Sequence, residues 1–401
     1  MTTSSPLPAA TTSIAADRFP QGEEEQLTAR GAQATSKEIA QQPAVWREVS
    51  ATVTEREHAV RDFIDPLLAL ADLRILLSGA GTSAFAGEVL APALTRALGR
   101  RVDAVATTDV VSNPREVFAE DVPTLLVSFS RSGDSPESAA ATQLADRCLR
   151  SVHHLVVTCD ASGRLARDHE SSATSLVLLM PAVANDRGFA MTSSFTAMLL
   201  ATWLVLAPKE AQEPENLVER LATAAEQVLR ESRMLSELAG RGYDRIVYLG
   251  SGPLGGLARE SALKMLELTA GQVVSYFDTS LGFRHGPKAV LDDRTLTVVF
   301  LSNDAYTRCY DEDIVTELGQ ALGPQHVLVV AARDSDSVPV GLRVSGLDDA
   351  GDALLALPYV VVAQLLALRF SLDLGLTPDN PFPDGEVNRV VRGVTVHPLL
   401  T

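Results

Sequence analysis

The chain has 401 residues, 46% hydrophobic and 21% charged, and carries 51 acidic against 34 basic side chains for a formal net charge of −17. That length fits a globular protein of two domains or one large one, and the charge argues against nucleic acid or an anionic membrane surface as a main partner. No basic patch followed by an apolar core marks a secretory signal. The longest apolar runs, such as Phe195 to Ala207, are expected to be too short to cross a bilayer. Cys148, Cys159 and Cys309 are widely spaced and form no disulfide or metal pattern. The expected compartment is therefore the cytoplasm, and an anionic substrate would need cationic and N–H groups gathered locally.

Residues 1–27 are rich in Ser, Thr, Pro and Glu and are expected to form a disordered tail. Residues 28–70 turn helical, with breaks expected at Pro43 and Pro66. Strand-like and helix-like segments then alternate. LRILLSGAG reads as strand and turn, SAFAGEVLAPALTRAL as helix, VDAVAT and PTLLVSFS as strands, SPESAAATQLADRCLR as helix, and HHLVVTCD as strand. β-branched apolar runs separated by helices are the pattern of buried parallel strands. The class is α/β, doubly wound, with mainly parallel sheets flanked by helices.

The second half repeats the first. RIVYLGSGPLGGLARESALKML follows RILLSGAGTSAFAGEVLAPAL, TLTVVFLSND follows TLLVSFSRSG, and HVLVVAARDSD follows HHLVVTCDASG. Gly79 maps to Gly250, Ser130 to Ser302 and Leu155 to Leu328, at nearly constant offsets. Two tandem copies of one α/β unit follow, at 71–207 and 241–375, joined by connecting helices over 208–240 and followed by a tail at 376–401. The copies differ at one informative place. SFSRSGDS in the first is FLSNDAYT in the second, so the fold does not require the hydroxyl cluster.

That cluster, Ser128 to Ser138, follows an apolar strand and opens a helix. Backbone N–H groups and the helix dipole concentrate partial positive charge at such a place. Serine hydroxyls add donors, and Gly133 lets the backbone curl around a ligand. Ser135 could simply cap the helix, with Pro136 in its first turn; a phosphate cradle accounts for the other hydroxyls as well. The loop GAGTS, Gly79 to Ser83, has the same setting and contributes Gly81, Thr82 and Ser83. Gly79, Gly81 and Ala84 also fit the dinucleotide fingerprint, but a nicotinamide site would not explain a second serine-rich loop. No Walker A lysine follows either loop.

In the second copy, Glu260, Lys264 and Glu267 fall at i, i+4 and i+7 on one helix face. They could be ordinary solvated ion pairs. The helix opens from GSGPLGG, which contains Ser251, at the sheet edge where α/β ligands sit, and a carboxylate set against Met265 and Leu266 could carry a raised pKa suited to proton transfer. His285 lies in GFRHGPKA, flanked by Arg284 and Lys288 in a loop shaped by Gly and Pro. His153 and His154 point to opposite faces of a strand and cannot share a metal, and no metal-ligand spacing or nucleophile elbow occurs.

Taken together, GAGTS, SFSRSGDS, the E-x-x-x-K-x-x-E helix and RHGP resemble the double sugar isomerase (SIS) domain of glucosamine-6-phosphate synthase, without its glutaminase domain. GFRHGPK, the leader KEIAQQPAVWRE and the tail DNPFPDGEVNRVVRGVTVHP are similar to the tagatose-6-phosphate ketose/aldose isomerase group, also described as galactosamine-6-phosphate deaminase/isomerases. The resemblance covers about residues 28–401. It implies that Ser83, Ser130, Ser132 and Ser135 hold a sugar phosphate together with the Arg131 backbone, and that Thr192 lies close to the ligand. It further implies that Glu267 moves a proton between C1 and C2 and that His285 opens the pyranose ring, coming from a neighbouring subunit. Glu260 and Lys264 would orient the substrate or its amine, and the C-terminal tail would close the site. One departure matters. Where the synthase has a Schiff-base lysine near its C-terminus, this chain has Arg392, which stays protonated and cannot form that adduct; Asn388 falls where the synthase has an arginine. A deaminase needs no such lysine, because its substrate already carries the amine.

The expectation is an enzyme that converts an amino-sugar 6-phosphate to the ketose phosphate plus ammonia, with no metal or organic cofactor. Two rivals are isomerisation of a non-aminated sugar phosphate and a non-catalytic sugar-phosphate sensor. A homodimer or higher homo-oligomer with shared sites is expected, because leader residues such as Ile39, Val45 and Trp46 need a surface to cover.

Overall fold

The computed structural model describes residues 23–208, 216–391 and 393–399. Four leader helices come first: α1 (Glu23–Ala29), α2 (Gln33–Ala40), α3 (Gln42–Glu55) and α4 (Glu57–Leu68). The first sheet contains β1 (Arg74–Ser78), β2 (Val102–Ala104), β3 (Thr124–Ser130), β4 (Val152–Thr158) and β5 (Ser175–Leu179). Its helices are α5 (Thr82–Leu98), α6 (Thr107–Ser112), α7 (Pro114–Val117), α8 (Pro136–Cys148), α9 (Arg164–His169) and α10 (Ser193–Leu206). Connecting helices α11 (Leu217–Arg230) and α12 (Arg233–Ala239) lead to the second sheet, formed by β6 (Arg245–Leu249), β7 (Val274–Asp278), β8 (Thr295–Phe300), β9 (Val327–Ala331) and β10 (Leu342–Arg343). With it go α13 (Pro253–Leu268), α14 (Ala305–Leu322) and α15 (Asp352–Asp373).

Every strand pair in both sheets is parallel. The first sheet runs β2-β1-β3-β4-β5, and the second, read from its β7 edge, runs β7-β6-β8-β9-β10, the same order. In each, the order reverses beside the first strand. The loops after β1 and β3, and after β6 and β8, therefore flank the crevice where doubly wound folds bind ligands. Those are the segments GAGTS, SFSRSGDS, GSGPLGG and LSNDAYT.

Some boundaries differ from the sequence reading. The chain is already helical from Glu23, ahead of the expected tail boundary at residue 27. Pro43 sits in the first turn of α3, where its missing N–H leaves no intrahelical bond unmade, and Pro66 lies within α4 instead of breaking it. β5, β7 and β10 escape the pattern search because they are short edge or near-edge strands, and VDAVAT pairs only over Val102–Ala104. Ile39, Val45 and Trp46 need no partner: all three are buried within the chain, Ile39 on α2 and the other two where α3 packs on α10 and α11. Nor is Phe195 to Ala207 the longest apolar run. α15 spans 22 residues at mean hydropathy 1.9, long enough to cross a bilayer, but it lies in the interior against α11, α12 and α13, with 94% of its most apolar window buried.

One apolar core joins the leader helices, α5, α10, α13, α15 and one face of each sheet. A close approach within it is the α5–α13 crossing. A Cβ added at Gly256 would lie 2.7 Å from the backbone nitrogen of Val89, so the two helices touch backbone to backbone. That contact brings the N-terminal turn of α5, from the first half, against the acidic face of α13, from the second.

Candidate active site

The loops after β1 and β6 share one backbone shape. Gly81 has φ 54° and ψ −128°, and Gly252 has φ 58° and ψ −129°, a conformation that strains a residue bearing a Cβ. Neither α5 nor α13 has a side-chain cap. Between these two turns lies a charged cluster. The Lys264 ammonium donates to Thr82 Oγ1 at 2.9 Å, contacts the carboxylate of Glu267, and lies 3.5 Å from Glu260. Lys264 and Glu260 are completely buried, while Glu267 keeps 23% of its side chain exposed.

One ammonium thus faces two carboxylates in a largely dry setting. Burial pushes Glu260 up to about 8, a rise that Lys264 opposes and the charge of Glu267 reinforces. The Lys264 ammonium, 3.5 Å away, and Thr82 hold that rise back. Burial also works against the charge on Lys264, but Glu260 and Glu267 together outweigh it and raise the lysine above its ordinary value. Lys264 therefore remains an ammonium, with Glu267 as its exposed-side partner.

The serine loop is braced from within. Ser130 Oγ accepts the Gly133 N–H at 3.0 Å, and Ser132 Oγ accepts that of Asp134 at 3.3 Å. Gly133 has φ 70° and lies against Gly163. Ser135 occupies the N-cap position of α8 without capping it; its hydroxyl instead donates to Glu137 at 2.7 Å. The first turn of α8 is left without a side-chain cap, at the edge of the crevice. Among the described residues, Ser83, in the facing loop, makes only a long side-chain contact to Met191 sulfur.

Arg131 links the two halves. Its buried guanidinium donates to the Arg389 carbonyl at 2.8 Å and more weakly to that of Phe189, and its Nε has no partner. Burial and neighbouring Arg389 lower its pKa to about 10, against the opposing charges of Asp186 and Glu267. The serine loop and the acidic face of α13 therefore interact electrostatically. The sequence reading assigned only the Arg131 backbone; the structure also uses its side chain.

Four residues in the network that extends from Arg131 escaped the sequence reading. Arg389 donates to the carbonyls of Gly188, at 3.2 Å, and Asp186. The fully buried Asp186 carboxylate accepts the backbone N–H groups of Thr192, Ser193 and Ser194 and so caps α10. Glu38, on α2, accepts from Arg187 and Gly188; burial, and then the charge of Asp186, push it up to about 7. Asp379 in the tail accepts the Ala34 and Thr35 N–H groups. These are isolated polar residues far apart in sequence, with no spacing to mark them, although Glu38 and Arg389 lie in the two segments that carry the family likeness.

Other expected residues are placed differently. The buried Thr192 hydroxyl donates to Asp186 at 3.3 Å, so it braces the loop rather than pointing a free donor at a ligand. Ser251 Oγ donates to Asp311 at 2.7 Å. Arg392 lies outside the described residues. His285 is exposed and sits on the loop packed with α14, against the face of the second sheet opposite α13. Among the described residues no hydrogen bond or ion pair joins it to Glu267. His154 is buried against Asp146 at 2.9 Å and beside His169, whereas His153 turns toward Phe63 on the opposite face.

Residues 67–208 match the SIS domain family. An AgaS-type protein of Streptomyces coelicolor is 59% identical over an alignment covering 91% of this chain and 95% of that one. The D-galactosamine-6-phosphate deaminase AgaS of Shewanella sp. is 42% identical, covering 94% and 95%. Among solved structures, tagatose-6-phosphate ketose/aldose isomerase from Escherichia coli superposes with a TM-score of 0.84 at 41% identity, covering 92% of this chain and 97% of that one. At that similarity over nearly its whole length, the chain belongs to the AgaS family of SIS-domain proteins.

Proposed function

We propose that the chain is two tandem SIS domains acting as a deaminating isomerase, which takes D-galactosamine 6-phosphate and water to tagatose 6-phosphate and ammonia. The reading rests on the meeting of the Lys264–Glu267 pair with Thr82 and Arg131 across the α5–α13 contact. The phosphate docks at the uncapped start of α8, on Ser83, Ser130, Ser132 and Ser135, with the Arg131 guanidinium behind it. His285 transfers the proton that opens the pyranose. Glu267 removes the C2 proton, giving an enaminol, and returns it to C1, giving an imine at C2. Water adds to that imine and ammonia leaves. Lys264 holds Glu267 in place, and Glu260, buried behind Lys264, steadies that ammonium.

The site also supports a second reading, aldose–ketose isomerisation, which is the activity in the name of the Escherichia coli structure. The same base and ring-opener would serve, with no ammonia released. Because His285 and Glu267 lie apart in one chain, we further propose a homo-oligomer in which a second subunit supplies His285. Val274, Phe277 and Leu281, exposed on the β7 edge just before the His285 loop, give that contact an apolar surface. A cytoplasmic setting fits the phosphorylated substrate.

Ammonia and ketose release, measured on galactosamine and glucosamine 6-phosphates and on non-aminated 6-phosphates, tests these readings. Glu267→Gln is expected to lower kcat by a factor of about 10³ or more with KM nearly unchanged. Near-wild-type ammonia release by that variant would overturn the base assignment, and ketose formed without ammonia from a non-aminated substrate alone would favour isomerisation.

A further inference from the structure

The segment carrying His285 has little regular structure of its own. It runs as two short 3-10 turns, Gly282–Arg284 and Pro287–Val290, joined through Gly286 at φ 123°. What fixes it is α14. The fully buried Asp311 carboxylate accepts the Ser280 hydroxyl at 2.5 Å, the Ser251 hydroxyl at 2.7 Å and the Ser302 N–H at 3.1 Å. It thereby ties together the loops after β7, β6 and β8. Farther along α14, Glu317 receives Arg284 Nε at 2.8 Å and also contacts the Lys288 ammonium. Arg284 and Lys288 stand on either side of His285 in sequence, and the side chain of buried Phe283 is packed beneath the turn with Ile314, Val315 and Leu318. The His285 ring itself makes no hydrogen bond among the described residues.

One carboxylate thus clamps both flanks of a histidine whose ring is left free. An isolated exposed ion pair contributes little to folding, so two cations converging on Glu317 call for a role other than stability. Their mutual repulsion would also spread the loop if the carboxylate were absent. We propose that Glu317 is a positioning residue for His285, holding its loop so that the imidazole keeps one aim at the ring oxygen of a sugar phosphate. This rests on the ring-opening role given to His285 above.

The test compares wild type, Glu317→Gln, Glu317→Asp, His285→Asn and the Glu317→Gln/His285→Asn double variant. Each is assayed on galactosamine 6-phosphate and on its 4,5-dideoxy analogue, which has neither O5 to close a pyranose nor O4 to close a furanose. Glu317→Gln is expected to lower kcat on the cyclic sugar by roughly ten- to a hundredfold, the cost of a misplaced catalytic group, with KM held within about twofold. Its rate on the 4,5-dideoxy analogue, relative to wild type on the same analogue, and its melting temperature should stay unchanged, Glu317→Asp should recover part of the loss, and the double variant should be no slower than His285→Asn, since residues acting through one another are not additive. The proposal fails if Glu317→Gln matches wild type while His285→Asn is impaired. It also fails if the two losses multiply, or if the analogue is turned over as poorly as the cyclic sugar. His285→Asn at the wild-type rate would instead remove the ring-opening reading, and this inference with it.

Discussion

At the scale of single residues, the cluster on α13 turns on burial more than on charge count. Glu260, Lys264 and Glu267 could have formed a solvated stripe, but the first two are sealed from water and differ from Glu267 in their surroundings. The consequence for stability has a definite sign. Glu260 is held up to about 8, against an ordinary 4.5, so the folded chain keeps a proton that the unfolded chain releases. Its contribution to stability is complete below about pH 4.5 and is lost as pH rises toward 8. Glu38, held up to about 7, acts in the same direction over a narrower range. His169, which burial first and then His154 lower to about 4, has the opposite sign, costing stability as pH falls below about 6.5. Glu260→Gln should therefore flatten the loss of stability between pH 5 and 8 relative to wild type, as read by denaturant melts across that range. An identical slope in both proteins would show that Glu260 is ionised in the fold.

At the scale of elements, backbone packing shapes the serine loop as much as its hydroxyls do. A Cβ at Gly163 would lie 2.2 Å from the Ser132 carbonyl and 2.9 Å from Gly133 Cα. Both are backbone atoms, so the loop itself would have to move. Gly163 has φ −63°, open to any residue, and its substitution therefore tests position without adding backbone strain. Gly163→Ala is expected to raise KM for the sugar phosphate about tenfold, equivalent to about 1.4 kcal/mol of lost binding, with a smaller change in melting temperature. Unchanged KM would mean that the phosphate does not depend on the Ser132–Gly133 turn. Gly133 stood out in the sequence as the glycine of a curled loop; Gly163 did not, because the contact that requires it comes from a different βα turn.

At the scale of the whole molecule, the two halves bring different groups to one contact. The first half presents the uncapped α8 and the second presents α13, while the leader helices and tail close around Arg131 through Glu38, Asp379 and Arg389. If a second subunit supplies His285, inactive Glu267→Gln and His285→Asn chains should complement one another. Mixed refolding or co-expression should then restore about a quarter of wild-type activity, because half of randomly paired twofold dimers are mixed and each has one intact site. Activity no higher than that of the two variants measured singly would exclude a shared site. The sequence by itself determined the α/β class, the repeated succession of strand and helix segments, the glycine- and serine-bearing loops and the E-x-x-x-K-x-x-E spacing, because local periodicity, glycine turns and helix register are written in neighbouring residues. Tertiary structure alone decided that Lys264 turns to Thr82 and Glu267, that Thr192 and Ser251 are engaged by Asp186 and Asp311, that Ile39, Val45 and Trp46 are covered within the chain, and that His285 lies apart from Glu267. Each of those outcomes depends on which remote side chain arrives across a helix crossing or a loop contact, and no spacing along the chain encodes such an arrival.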